Sequence, residues 1–232
     1  VLEGMTGGEV VIDTAQLKVL EGLRIRGVRV YPAGASQSQD NEVLSAAETL
    51  LEYDLTKLLS GKPRFHRIVA QNARLHIQYF HETGTTNLQA LSWAHRRDEP
   101  GTVPPIILRN ASIAYEEIGA SGRSSVLVQE LTGQITPAAA DRQVCLFELS
   151  SRDTGVFQSS RLQGSYNIAS GELVYRGDFY LNKVDLSGLP GWARFWREFY
   201  ALDQPTGDVA VEGRYQPGQG YRLGLHLKNG GL

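Results

Sequence analysis

The sequence has 232 residues, 25 of them glycine, and a formal net charge of −2 at pH 7. This charge gives no electrostatic drive toward nucleic acid, and a single cysteine excludes both an intrachain disulfide framework and a cysteine-rich metal site. No apolar run reaches the ~18 residues needed to span a bilayer. Glycines spread through the chain favour many short strands with turns and bulges, so the composition predicts a mainly β protein.

The first sixty residues predict four strands. Residues 8–20 predict two short strands on either side of Thr14–Ala15, and residues 20–31 (LEGLRIRGVRVY) predict a third. Residues 33–41 predict a polar loop. Apolar and polar side chains alternate in the next segment, so we expect a strand over residues 46–54 and then one helical turn that ends at Gly61.

The middle of the chain contains the clearest strand, residues 65–80. Alternate residues from 73 to 79 are apolar and the residues between them are polar, as a period of two requires. Residues 86–97 place Leu88 and Leu91 at helical spacing before Pro100. Strand patterns return at residues 106–117, and further strands are predicted around residues 126–128, 144–146, 162–168, 172–184, 208–215 and 221–227.

The strand alternation changes phase in the same way at three positions. Gly27, Asn72 and Asn110 each follow an apolar residue by two positions and precede apolar residues by one and three positions. Glycine and asparagine tolerate the left-handed conformation that a β-bulge needs. A bulge at each position would return the apolar side chains to one face. The repeated device predicts one long, strongly curved antiparallel sheet.

Residues 188–204 (GLPGWARFWREFYALDQ) predict the one long helix of the chain. Its aromatic residues recur at i, i+3, i+4, i+7 and i+8 and therefore share one face; they are Trp192, Phe195, Trp196, Phe199 and Tyr200. This face fits ordinary packing, a lid or a membrane-surface anchor. Packing is the more frequent use of such a face, and a surface anchor usually carries more basic residues.

The sequence contains no signature of a catalytic or metal site. It has no GxSxG nucleophile elbow, no GxxxxGK[ST] phosphate loop and no HExxH helix. Its histidines have no metal-ligand spacing, and His76 is expected on the solvent face of a strand. Acidic residues such as Glu116–Glu117 and Asp153 are expected in loops or on polar strand faces, and Cys145 is expected to be a small buried residue.

Three arginines in the opening strand region allow two interpretations. Arg24, Arg26 and Arg29 alternate with apolar residues. They fit a phosphate-binding stripe, but they fit more simply a solvated outer face that keeps the sheet soluble and prevents edge pairing.

Four stretches of the first half carry a resemblance to a known family. They are residues 7–31, 42–62, 104–117 and 65–91, the last with Asn87–Leu88 at the place of the family's asparagine–leucine helix start. The chain resembles the AsmA-like and TamB-like proteins of the Gram-negative envelope, which are related in architecture to the eukaryotic chorein-type bridge lipid-transfer proteins. Residues 188–213 fit the family's order of helix, PxG and strand more loosely.

The resemblance implies a long antiparallel sheet folded into an open groove, apolar inside and polar outside. It implies non-enzymatic binding and transfer of phospholipid, without a cofactor, in the periplasm and tethered to the inner membrane. We expect residues 1–232 to be one β-groove unit from a longer protein whose membrane anchor is missing, since the chain starts at Val1 inside β-like sequence. A finer division would fall at residue 100, with a covering helix at 190–202.

Residues can be assigned to the implied groove from the strand patterns. The expected groove lining is Ile25, Val28, Val30, Leu75, Ile77, Tyr79, Ile113 and Tyr115, and the expected covering helix presents Trp192, Phe195, Trp196 and Phe199. An alternative function is a structural or assembly module whose sheet edges pair with partner strands during outer-membrane protein biogenesis. A third alternative is an enzyme on a β-scaffold.

Overall fold

The protein is built from one large, open, curved β-sheet. The computed structural model describes residues 8–18, 21–53, 65–91, 104–120, 122–141, 143–152, 159–167, 170–181, 206–216 and 220–231. The strands are β1 (Glu9–Val11), β2 (Thr14–Lys18), β3 (Gly22–Tyr31), β4 (Leu44–Tyr53), β5 (Phe65–Phe80), β6 (Thr85–Thr86), β7 (Ile106–Gly119), β8 (Gly122–Pro137), β9 (Val144–Arg152), β10 (Ser159–Asn167), β11 (Leu173–Leu181), β12 (Thr206–Gln216) and β13 (Gly220–Gly231). Two short 3₁₀-helices cover Gln39–Asn41 and Asn87–Ala90. The expected fold class is confirmed.

The strands follow the chain order across almost the whole sheet. The main order is β1-β3-β4-β5-β7-β8-β9-β10-β11-β12-β13, with β2 beside β3 and β6 beside β5. One pair departs from the antiparallel expectation, because β5 and β7 run parallel, with Leu75 opposite Ile113. Parallel neighbours need a crossover connection, and residues 81–105 supply it with β6 and the second 3₁₀-helix.

The three positions predicted to be bulges lie side by side in the left-handed conformation, but the pairing of β3, β4, β5 and β7 keeps its register through them, and at this level register shifts occur only between β7 and β8. Gly27, Asn72 and Asn110 have φ values of +64°, +51° and +51°, all in the left-handed region. Glu130 adds a fourth such residue in β8, with φ +54°. The pairing of β3 with β4 passes from Arg26↔Glu48 directly to Val28↔Ala46, so Ala47 is skipped opposite Gly27.

The four left-handed residues and Ala47 lie at one level across five neighbouring strands. Asn110 Nδ2 donates a hydrogen bond of 2.6 Å to Asn72 Oδ1 and joins this level of β7 to that of β5. The ladders are interrupted along this line, and the apolar side chains on both sides of the line stay on one face.

Most of the predicted elements match the observed ones, with small shifts. The strand expected over residues 46–54 is β4, and the loop before it contains a 3₁₀ turn. The first two strands separate at Ile12–Asp13, where Asp13 N donates to Arg26 O over 3.1 Å. The helix at 188–204 and the helical turn before Gly61 lie outside the described residues.

The polar face of the sheet carries cross-strand ion pairs. Arg24 and Arg26 each place Nε 3.6 Å from a carboxylate oxygen of Glu48 on β4, and Arg29 binds Asp13. On later strands Lys228 Nζ lies 2.9 Å from Asp178 Oδ1, and this hydrogen bond lowers the pKa of Asp178. The three arginines therefore belong to a charge-balanced solvated face, the simpler of the two interpretations.

The core lies on the opposite face, mainly between β3 and β9. Its side chains form one apolar cluster, consisting of Ile25, Val28, Val30, Val43, Ala46, Leu51, Ala73, Leu91, Ala111, Leu131 and Leu149. Cys145 is buried as expected, and burial raises the pKa of its thiol.

Asn87 takes the place of a neighbouring strand along the part of β5 that extends past the start of β4. Its Oδ1 accepts a 2.9 Å hydrogen bond from Gln78 N, and its Nδ2 donates over 2.8 Å to His76 O. One side chain thus continues the ladder along the edge of β5, and the second 3₁₀-helix begins at this residue.

We expect Asn87→Ala to lower the free energy of unfolding by about 2 kcal/mol, because two backbone groups of β5 lose their partners in a buried place. Urea denaturation followed by circular dichroism measures the loss. Asn41→Ala is the matched control, since Asn41 bonds Ser36 in an exposed loop, and we expect it to cost well under 1 kcal/mol. Equal losses in the two variants would contradict the role of Asn87.

Candidate functional site: the apolar face of the sheet

Apolar residues and glycines run in continuous rows across one face of the sheet. Cα partners in neighbouring strands point to the same face, so the register defines each row. One row is Ile25, Thr49, Ala70, Leu108, Gly133, Leu149, Leu162, Gly177 and Val211. The next is Leu23, Leu51, Ile68, Ile106, Ile135, Phe147, Gly164, Tyr175 and Gly213. We call this surface, which reaches from β3 to β12, the apolar face.

The expected groove residues share the apolar face but form two groups. Ile25, Val28 and Val30 of β3 are buried, Val30 being only 2% exposed. The other five lie on the upper parts of β5 and β7 and are half-buried; they are Leu75, Ile77, Tyr79, Ile113 and Tyr115. We call Leu75, Ile77, Ile113 and Tyr115 the upper patch.

The upper patch is continuous with β3 and β4. Leu44 pairs with Val30 on one side and with Leu75 on the other, and Leu75 pairs with Ile113. The half-buried patch is therefore an extension of the core surface. Its partial exposure leaves apolar area that a further apolar molecule can cover.

Leu91, next to the second 3₁₀-helix, packs at the β1–β3 end of the apolar face. Its side chain is 3% exposed, and both it and Leu88 belong to the apolar cluster or pack against it. A Cβ added to Gly8 would come within 2.9 Å of Leu91 Cδ2 and 3.3 Å of Val30 Cγ1. These contacts fill the space beside β1 and β3, so this end of the face is occupied by the protein's own side chains.

Aromatic rings lie on glycines in the half of the face formed by β9–β12. A Cβ added to Gly164 would come within 2.6 Å of Phe147 Cζ, and one added to Gly213 would come within 2.4 Å of the Tyr175 ring. The rings cover the glycines of neighbouring strands. This arrangement gives a smooth apolar surface with few projecting groups.

A polar cluster borders the upper patch where the strands end. Glu117 follows Ile113 and Tyr115 on the same face of β7 and is 7% exposed. The Tyr115 hydroxyl donates to Glu117 Oε1 over 3.2 Å, and His81 Nε2 lies 3.3 Å from Glu117 Oε2. The Tyr79 ring packs edge-on against His81 with centroids 5.0 Å apart. Burial, followed by the charge and hydrogen bond of Glu117, raises the pKa of Tyr115.

Glu116 and Glu117 were both expected in loops or on polar strand faces, and this prediction is right for Glu116 and wrong for Glu117. Glu116 lies on the polar face, 3.5 Å from His76 Nε2 and 3.6 Å from Arg123 Nη1, as expected for both Glu116 and His76. Glu117 instead lies on the apolar face, because alternation from Ile113 and Tyr115 continues through it. The same period-two pattern in the sequence could have placed it there.

The described residues add two negative findings. In the parts of the chain that the structure describes, no helix has the length and apolar character needed to cross a membrane. Within the same ranges, no three His, Cys, Asp or Glu side chains converge as a metal site would require. Trp192, Phe195, Trp196 and Phe199, as well as Asp153, lie outside the described residues.

Comparison with known proteins gives no further assignment: the chain matches no protein-family model and no curated protein.

Proposed function

We propose that this protein binds phospholipid acyl chains on its apolar face and transfers lipid along it without bond chemistry, as an AsmA-like protein of the bacterial envelope. The observation that carries the proposal is the register of apolar residues and glycines from β3 to β12, in which Thr49 is the one polar residue of the two rows. Much of this face is the buried core, but the upper patch is only half-buried, and such exposed apolar area is unfavourable in water unless something covers it. Acyl chains match a surface of this length and chemistry.

The energetics favour a continuous surface over an isolated pocket. Each methylene removed from water contributes roughly 0.8 kcal/mol, so an acyl chain of ordinary length contributes on the order of 10 kcal/mol. Release of a two-chain lipid into water is therefore very slow. A surface on which each row continues into the next strand lets a chain move without full exposure to water.

The dimensions of the sheet suit this task. Nine strands of the main path, from β3 to β12, carry the apolar face, and a spacing of about 4.8 Å per strand gives a width of roughly 40 Å. Such a width exceeds the thickness of a bilayer's hydrocarbon core, about 30 Å. The surface can therefore hold lipid over more than the length of one molecule.

We expect phospholipid to co-purify with the protein, because the apolar face is more stable when covered. Native mass spectrometry of the purified chain should show adducts with the mass of phospholipid, and these should disappear after detergent exchange. Protein that stays free of lipid adducts even after incubation with phospholipid vesicles would contradict the proposed function.

One observation favours the alternative function in strand-pairing assembly. Among the described residues β13 pairs only with β12, so its outer edge offers a ladder of 12 residues. Edges of this kind can accept a partner strand. If this edge is the functional surface, crosslinks to partner proteins should map to β13 and lipid should be absent.

A further inference from the structure

The polar face of the sheet contains a cleft that exposes large apolar side chains. Leu146 is 46% exposed and Val174 is 41% exposed. The register places five residues of neighbouring strands, β9 to β13, in one row across the cleft; they are Leu146, Ser165, Val174, Arg214 and Arg222. The cleft has a volume of about 970 Å³, and its two exposed apolar side chains provide area that a bound molecule can cover.

Two arginines stand directly opposite each other at one end of this row. Arg214 and Arg222 are Cα partners in β12 and β13, and like charges in this position destabilise a sheet. Glu172 neutralises Arg214, since its Oε1 lies 2.6 Å from Arg214 Nη2. Arg222 is exposed, and among the described residues no carboxylate forms an ion pair with it.

The carboxylates that line the cleft are already neutralised. Glu212 Oε1 lies 3.6 Å from Arg176 Nη1, and Glu148 binds Arg161. Arg222 is therefore the surplus positive charge of the cleft within the described parts of the chain. Arginine binds a carboxylate through two parallel hydrogen bonds, and a carboxylate brings the single negative charge that this row lacks.

The remaining polar groups of the cleft favour a peptide over a fatty acid. Four amide and hydroxyl side chains line it without a hydrogen-bond partner among the described residues; they are Gln134, Thr136, Gln163 and Ser165. Such groups can bond the main chain of a peptide, whereas an acyl chain would cover them and leave them unpaired. Four strand spacings of about 4.8 Å separate Leu146 from Arg222, and this span equals about six residues of extended chain.

We propose that this cleft binds an extended acidic peptide segment of a partner protein. A carboxylate of the segment binds Arg222, and its apolar side chains lie on Leu146 and Val174. The cleft lies on the opposite side of the sheet from the apolar face, so the inference goes beyond the proposed lipid binding. It gives the protein a separate surface through which a partner can attach while the apolar face stays open.

The test is a fluorescence-anisotropy titration of the whole chain against two labelled peptides of about six residues. Both have an amidated C-terminus and two leucines separated by serines, and they differ only in a glutamate or a glutamine after the second leucine. We expect wild type to bind the glutamate peptide roughly tenfold more tightly, the effect of one hydrogen bond to a charged group. Arg222→Gln should remove this preference by weakening the glutamate peptide alone, and Leu146→Ser should weaken both peptides.

The matched control is Arg109→Gln, which removes an exposed arginine from the polar face of β7, outside the cleft, and should keep the wild-type preference. Equal binding of the two peptides by wild type, equal losses in both arginine variants, or no binding of either peptide would overturn the proposal. Binding of dodecanoate that depends on Arg222, without binding of the peptides, would also overturn it and would identify a fatty-acid site. Lipid adducts on the apolar face are measured separately, so these results leave the proposed function standing.

Discussion

Phospholipid retention should fall by at least about tenfold when Leu75 and Ile113 are both replaced by aspartate. The two residues are partners in β5 and β7 and form the level of the upper patch that lies nearest the core. Two carboxylates there would remain hydrated, because their desolvation is costly. They would therefore exclude an acyl chain from that level of the face. Loss of contact with only two methylenes at roughly 0.8 kcal/mol each already gives such a decrease.

The same positions are suited to the test because they are only half-buried. Aspartate at the buried Ile25 or Val30 would threaten the fold itself, whereas neither Leu75 nor Ile113 is a member of the buried cluster, although Ile113 packs against it. Lipid bound to each purified variant is measured by native mass spectrometry, and circular dichroism verifies the β-sheet. A variant that folds and still carries the wild-type amount of lipid would show that acyl chains bind elsewhere.

The control variant introduces the same number of aspartates as the Leu75 and Ile113 variant, at the same level of the sheet but on its polar face. Ser45 and Ser112 flank Arg74 in the neighbouring strands, one residue from Leu44 and Ile113. Ser45→Asp with Ser112→Asp adds the same two negative charges beside an arginine. We expect this control to retain lipid like wild type, so that a loss in the first variant reflects the apolar face and not net charge.

Gly133→Ala should lower the free energy of unfolding by about 3 kcal/mol, near the upper end for overpacking by one methyl group. Gly133 lies on the apolar face of β8, opposite Leu149 of β9. A Cβ there would come within 2.0 Å of Glu148 O and 2.8 Å of Leu149 Cα. Both atoms belong to the backbone, so β8 and β9 must separate to admit it.

The matched control is Gly224→Ala in β13. A Cβ on Gly224 would have its nearest neighbour, His226 Nε2, at 3.8 Å. Alanine fits this space and restricts the unfolded chain, so we expect a change between zero and a gain of about 1 kcal/mol. Urea unfolding midpoints of the two variants decide the point, and equal midpoints would contradict the close approach of β8 and β9.

The curved sheet was predictable from the sequence because its left-handed positions use residues of distinctive conformational preference. Gly27, Asn72 and Asn110 have low-cost access to the left-handed region. Glu130 adopts the same conformation but has no such preference, and Ala47 is skipped by register without any local signal. The conformation of Glu130 and the skipped pairing of Ala47 are imposed by the neighbouring strands. A strand must change its alternation at the same level as the strands beside it, because its apolar residues would otherwise leave their common face.

Pairing direction and the ends of the candidate site were harder to predict. The parallel pair β5–β7 depends on the path of the chain between the two strands, and no periodicity within either strand encodes that path. Leu91 was recognised as an apolar helical residue, but its position against Gly8 and Val30 is a contact between distant parts of the chain. Glu117 follows the strand period onto the apolar face, although acidic residues usually lie on a polar face.

The aligned left-handed residues also make the sheet easier to bend along one line. At Gly27, Asn72 and Asn110 the hydrogen-bond ladder of the sheet is interrupted at one level. The main-chain hydrogen bonds therefore resist bending of the sheet least along this line. The two halves of each crossed strand, one on either side of the line, can then tilt relative to each other. Under the proposed function, bending along this line would let the apolar face accommodate acyl chains of different thickness, kinked or straight.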